Sequence, residues 1–141
     1  MDAAVAVAVA AVFVWLGMVL AISFLEAPLK FRAPGVTLQI GLGIGRLVFR
    51  ALNVCEVALA VAVVVCFVIV PPTTGTVIAA AVAIVALLAQ VVAVRPRLSR
   101  RSDVVLAGGE APRSHAHWAY VGLEIVKVIG LLIAGVALLA A

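Results

Sequence analysis

WAYVGLEIVKVIGLLIAGVALLA, residues Trp118–Ala140, is long and apolar enough to cross the ~30 Å hydrocarbon core of a bilayer as a helix, yet it carries Glu124 and Lys127. A second run, Leu47–Val70, repeats the pattern with Asn53 and Glu56 at the corresponding depth. An uncompensated charge at the bilayer centre costs at least ~2.5–3.5 kcal/mol, so such residues normally face a protein interior and mark function. Two further runs, Ala3–Leu25 and Val77–Val94, bring the expected spans to four. The Ala/Val alternation of Ala4–Ala10 has the period of a strand. An open strand cannot satisfy its backbone in lipid, so helix is the expectation there too. The fold class that follows is all-α integral membrane, a single four-helix transmembrane domain over residues 1–141.

Composition agrees. The chain is 67% hydrophobic and 11% charged, with a mean hydropathy of +1.38, whereas a soluble domain has roughly 25% charged residues. The formal net charge of +4 does not indicate nucleic acid, because the basic residues sit between apolar runs and form no stripe on a soluble face. Cys55 and Cys66 fall within one apolar run, roughly 16 Å apart on a helix and beyond disulfide reach. The start, Met1-Asp2-Ala3-Ala4, lacks the positive region of a signal peptide, so the first run is expected to remain as a span.

The connectors set the orientation. Pro28 and Pro34 follow the first run, Pro71-Pro72 with Gly75 turn the chain after the second, and Arg95-Pro96 closes the third. Lys30, Arg32 and Arg46 lie in the first connector, and Arg97, Arg100, Arg101 and Arg113 in the third, while Pro71–Thr76 has no charge. By the positive-inside rule, loops 26–46 and 95–117 are cytoplasmic and both termini are outside. The expected location is the plasma (inner) membrane of a bacterium.

In that topology the second and fourth helices run parallel. Arg46 falls level with His117, Asn53 with Glu124 and Glu56 with Lys127, the last pair ~15 Å in. His117, Tyr120, Glu124 and Lys127 share one helical face, as do Arg46, Arg50, Asn53 and Glu56. Glu56–Lys127 and Arg50–Glu124 contacts would balance the charges, with Gln90 joining near the cytoplasmic rim. Pairing of Glu124 with Lys127 inside their own helix at i, i+3 is the plainer alternative. The outer halves of the spans lack polar lining, which describes a pocket open to the cytoplasm rather than a channel.

Other motifs carry less. Gly41-Leu42-Gly43-Ile44-Gly45-Arg46 has neither dinucleotide-fingerprint spacing nor a Walker lysine. It reads as a flexible turn, with Gly43, Gly45 and Arg46 as a possible contact for an anionic lipid headgroup, and Phe31–Ile40 as a short interfacial piece. His115 and His117 point to opposite sides of a helix, which disfavours haem ligation. Glu124-x-x-Lys127 has lysine where a di-iron bundle needs histidine. Convergence of Glu26, Glu56, Glu124 and His117 on a metal was the remaining metal arrangement, and it is not the preferred one. No serine or cysteine neighbours a base. The expectation is no catalytic residue, no metal and no cofactor.

The segments Gly17–Pro28 (GMVLAISFLEAP), Gly45–Phe49 (GRLVF), Val94–Leu98 (VRPRL) and His115–His117 leading into the last helix give a chain that resembles a small membrane family, the one containing human transmembrane protein 205 and its shorter bacterial relatives. The resemblance implies a four-helix membrane protein without an assigned catalytic site, and it supplies no functional residue. Glu56, Glu124 and Lys127 depart from the family's pattern, so the polar layer rests on its own residues.

Three functions fit. The leading expectation is a non-catalytic accessory or scaffold subunit of a larger membrane complex, docking through Gly122, Gly130, Ala134 and Gly135. The alternative is a proton-coupled or small-solute carrier acting as an oligomer, gated by Glu56 and Lys127. A second alternative is a membrane oxidoreductase handling quinone or haem near His117 and Tyr120. Expected partners are membrane lipids and another membrane protein or a second copy of the chain, and not nucleic acid.

Overall fold

The computed structural model describes residues 1–110 and 115–141. Arg113, counted above with the loop arginines, lies outside the described residues. Four helices are each long and apolar enough to cross a membrane: α1 (Ala3–Arg32), α2 (Leu38–Ile69), α3 (Thr74–Leu106) and α4 (His115–Ala140). No strand occurs among the described residues.

The helices exceed the apolar runs. At 32 residues α2 is ~48 Å long, well beyond the hydrocarbon thickness. It starts at Leu38, where the Thr37 hydroxyl accepts from the Ile40 N–H at 3.1 Å. The Gly41–Arg46 segment is therefore helical, which corrects the reading of a flexible turn. Low glycine propensity suggested a break. Packing overrides it, because a Cβ on Gly41 would collide with the Phe31 ring and one on Gly45 would lie 2.8 Å from Lys30 Nζ. The two glycines, one helical turn apart, form the smooth face on which the end of α1 lies.

Likewise α3 continues through Arg95-Pro96 to Leu106, so much of the expected 95–117 loop is helix. Proline lacks an N–H and crowds the carbonyl four residues back. The chain accommodates this with a π segment at Gln90–Val94, closed by the Arg95 N–H donating to Gln90 O. The same device recurs in α1, where a π segment covers Leu20–Glu26, the Ala27 N–H donates to Ile22 O, and Pro28 follows. The far end of α3 closes in a Schellman turn: Gly108, at φ +90, and Gly109 donate to Val105 O and Val104 O at 3.0 and 2.9 Å. Gln39 Nε2 donates to Leu106 O at 2.9 Å, and Arg46 pairs with Asp103 at 2.6 Å, tying the start of α2 to the end of α3.

Neighbours in the bundle run antiparallel. Phe13 lies against Gly135 while Ser23 bonds Glu124, and Ala79 lies against Gly130 while Gln90 bonds the Tyr120 carbonyl. α1 packs on α2 and α4, and α3 on α4 and α2, so α2 and α4 are parallel and face each other across the bundle axis. Both termini lie at one end, and the lysine and arginine side chains among the described residues, Lys127 excepted, lie toward the other. Ala79, Ala80 and Ala83 let α3 approach α4 so closely that a Cβ on Gly130 would sit 2.9 Å from Ala79 O. The apolar core centres on Val12, Trp15, Val63, Leu87 and Leu131. Outside, Val68, Val92 and Leu47 are 76, 72 and 71% exposed, while Glu56, Gln90 and Lys127 are 0% exposed. Water would favour the reverse; an apolar solvent favours this arrangement.

Candidate functional site

The buried polar cluster draws on all four helices. Lys127 Nζ lies 2.5 Å from Glu56 Oε2, 2.5 Å from Glu124 Oε1 and 2.8 Å from Gln90 Oε1, so its three N–H groups each have an acceptor. Trp15 Nε1 donates to Glu56 Oε2 at 2.7 Å, and Asn53 Nδ2 to Glu56 Oε1 at 3.2 Å. Gln90 Nε2 donates to Glu124 Oε1 and to the Tyr120 carbonyl, each at 3.2 Å. Ser23 Oγ donates to Glu124 Oε2 at 2.5 Å. Desolvating such charges costs several kcal/mol per ion, which is recovered only when geometry and hydrogen bonding are both complete. Here each carboxylate oxygen has a donor.

A cavity of about 850 Å³ opens on the basic side of this cluster, with Asn53, Ser23 and Glu124 at its inner end. Glu124 is the single carboxylate among its lining residues, against Lys30, Arg46, Arg50, Arg95 and Arg101. Arg95 is held by aromatic faces: its Cζ lies 4.8 Å from the Tyr120 ring centroid and 5.2 Å from that of Phe49. Those two rings meet edge to face at 5.8 Å. Lys30 Nζ lies 5.8 Å from the Phe49 ring and 5.6 Å from the Phe31 ring.

The structure brings Asn53, Glu56, Glu124 and Lys127 together, and Glu124 meets Lys127 both within its helix and beside Glu56. Gln90, expected at the rim, is instead the fully buried link between Lys127 and Tyr120. Tyr120 and His117 line the cavity, Tyr120 buried at its wall and His117 half-buried against Trp118. Arg50 also lines the cavity but is exposed, and the expected Arg50–Glu124 contact is not made, because Ser23, Lys127 and Gln90 occupy the Glu124 oxygens.

The headgroup contact expected at Gly43, Gly45 and Arg46 finds no free glycine amide, although Gly45 and Arg46 line the cavity. Only the first four amides of a helix are free. Gly41 N–H already bonds Thr37 O, Gly43 and Gly45 lie further along the helix, and Arg46 is paired with Asp103. Among the described residues no three His, Cys, Asp or Glu side chains are placed to hold a metal ion. Between Glu56 and Glu124 the Lys127 ammonium occupies the place a cation would take.

Sequence reasoning missed Trp15, Ser23 and Arg95. Trp15 and Ser23 are the N–H and O–H side-chain donors of Ala3–Leu25, eight positions apart and so near one face. That was the available signal. Arg95 looked like a loop residue because Pro96 follows it.

Comparison of the chain with family profiles, with curated proteins and with solved structures found no match.

Proposed function

We propose that the protein is a small-solute carrier of the plasma membrane, with its basic end and cavity mouth in the cytoplasm and its termini outside. The cavity is the binding site, and the Glu56–Lys127–Glu124 cluster is the coupling element. One observation carries this reading: the cavity ends on Glu124, a carboxylate that belongs both to the cavity wall and to the sealed cluster. A cluster that only held helices together would be best served by balanced charge. This one sets two carboxylates against one ammonium, so it is neutral only with one further proton. The arginine-rich end fits the positive-inside rule. The outer half is packed with apolar side chains, so release on that side requires the helices to move. The π segments in α1 and α3, each followed by a proline, are the deformable points.

The accessory-subunit reading leaned on small residues of α4 as a docking face. Gly130, Ala134 and Gly135 are instead packed inside the bundle, and Gly122 alone of that set faces open space.

Proteoliposomes with a trapped pH-sensitive dye test the proposal. A panel of small solutes is expected to include one class whose entry moves protons through the wild type and not through Glu56→Gln. Wild-type liposomes as tight as empty ones to the whole panel, together with a stoichiometric larger partner in mild-detergent purification, would replace the carrier by the accessory subunit.

A further inference from the structure

The basic wall of the cavity contains hydrogen-bond donors that nothing in the protein uses. Arg95 Nε and Nη2 and the Tyr120 hydroxyl are buried atoms without a partner. Tyr120 is only 7% exposed, and although the Asn53 amide lies on the oxygen side of its hydroxyl, the hydroxyl hydrogen has no acceptor. Buried polar groups are nearly always satisfied, so a cluster of orphans beside a cavity calls for an occupant. Nε and Nη2 form one edge of the guanidinium, the two parallel N–H groups that receive a carboxylate or phosphate in paired bonds. The contacts of Arg95 with the Phe49 and Tyr120 rings hold that edge in place. Lys30 Nζ also lies near the Phe49 ring, with its contact to Glu26 at 3.8 Å. All these donors favour an anion.

One wall of the cavity is apolar. Phe24, Phe31, Leu42 and Val121 line it without polar atoms. Val54, Val57 and Trp118 also line it and are 67, 45 and 61% exposed, so the apolar wall continues onto the outer surface of the bundle. A hydrated inorganic ion has no use for such a wall, whereas an acyl chain does.

Resting on the reading of the cavity as a ligand site, we propose that it takes an anionic amphiphile, with a carboxylate or phosphate head on the Arg95–Tyr120 donors beside Lys30 and an acyl chain along the Phe24–Val54–Val57–Trp118 wall. The head can come from a free fatty acid or from an anionic phospholipid. Both offer an oxyanion joined to hydrocarbon.

Native mass spectrometry of the full chain in dodecyl maltoside tests it, with oleate, dioleoyl phosphatidic acid, dioleoyl phosphatidylcholine and inorganic phosphate as probes. Saturable binding of one oleate or one phosphatidic acid is expected, and the tighter of the two identifies the source. Arg95→Gln should weaken it roughly 10–100-fold and Tyr120→Phe about 3–10-fold. Arg100→Gln, at an exposed position outside the cavity lining, should leave it within about twofold. Tyr120→Phe keeps the ring and removes only the orphan hydroxyl, so it reports on the site even if Arg95→Gln fails to fold. Equal binding of phosphatidylcholine, phosphate binding as tight as that of the amphiphiles, or affinity unchanged in both site variants would overturn the proposal. The two readings fail separately. Arg95-dependent binding without flux in liposomes sinks the carrier alone, and flux of a neutral solute without oleate or phosphatidic acid binding sinks the amphiphile site alone.

Discussion

Replacing Lys127 by methionine should destabilise the protein far more than replacing Glu56 by glutamine, although the two side chains touch each other. Lys127 makes contacts of 2.5, 2.5 and 2.8 Å and is fully buried. Methionine fills its volume and leaves Glu56 and Glu124 facing each other with no cation. Removing one partner from a buried ion pair costs about 3–5 kcal/mol. At roughly 3–5 °C per kcal/mol for a chain of this size, Tm should fall by about 10–20 °C. Glu56→Gln works the other way on charge: the cluster goes from two carboxylates per ammonium to one. The glutamine carbonyl still accepts the Trp15 N–H, so the expected loss is about 1 kcal/mol, or a few degrees. Thermal unfolding of both variants in one detergent, followed by loss of Trp15 fluorescence, measures the difference. Equal shifts in Tm, or a Lys127→Met variant within about 2 °C of wild type, would refute the charge count on which the coupling argument stands.

Other outcomes follow from the packing. Gly130→Ala should cost about 1–3 kcal/mol, since its Cβ would press on the Ala79 backbone carbonyl at 2.9 Å; Gly122→Ala meets nothing within 4 Å and should be neutral or stabilise by up to about 1 kcal/mol; paired unfolding curves check both. Trp15→Phe removes the donor to Glu56 at 2.7 Å and leaves a gap where the larger indole was, so at least about 1–3 kcal/mol should be lost in thermal unfolding followed by circular dichroism. Cys55 is exposed on the outside of α2 beside the buried Glu56, and Cys66 is buried. A charged maleimide should therefore leave both unlabelled in intact vesicles and label both after denaturation in detergent. Fast labelling of Cys55 in vesicles would mean that this face of α2 meets water.

The long helices and the pairing of α2 with α4 were legible because one solvent imposes one rule. Every residue in a run must be apolar unless it faces the bundle, so Asn53, Glu56, Glu124 and Lys127 stand out by type alone. Their register followed from counting at a fixed rise from the basic ends. The helix ends were not legible. Gly41 and Gly45 read as breakers, and only the arrival of Phe31 and Lys30 from α1 shows what these two glycines pack against. Pro96 reads as a stop, and only a π segment five residues long makes it continuous with α3. Trp15 and Ser23 were hidden for a different reason. Neither is charged, so hydropathy treats Trp15 as apolar and Ser23 as a minor interruption, although each supplies a hydrogen bond to a buried carboxylate.

Those corrections alter what the cluster is joined to. Tyr120 stands between two sets of contacts: its ring carries Arg95 at the cavity wall, and its carbonyl accepts from Gln90. Gln90 is the first residue of the π segment in α3 and uses its other end to hold Lys127. Ser23, from the π segment of α1, holds the free oxygen of Glu124. Each π segment therefore presents a side chain to the charged cluster, and both lie on the side from which the cavity opens. π segments persist where a side chain or a backbone group has to be aimed against the regular helix. Relaxing either one to an α turn would rotate the residues beyond it, Pro28 with Lys30 in α1 and Arg95 in α3, relative to the cluster. A perturbation at Arg95 thus has two physical routes to Lys127, through the Tyr120 carbonyl and through the turn that Arg95 itself closes. Both reach Lys127 through the Gln90 side chain, so substituting Gln90 by leucine cuts them together. If, in a Trp118→Phe background where Trp15 is the sole indole, Gln90→Leu leaves cavity-side ligand binding intact but uncouples it from the emission of Trp15, Gln90 carries the coupling. Unchanged coupling would place it on the direct Glu124–Lys127 contact instead.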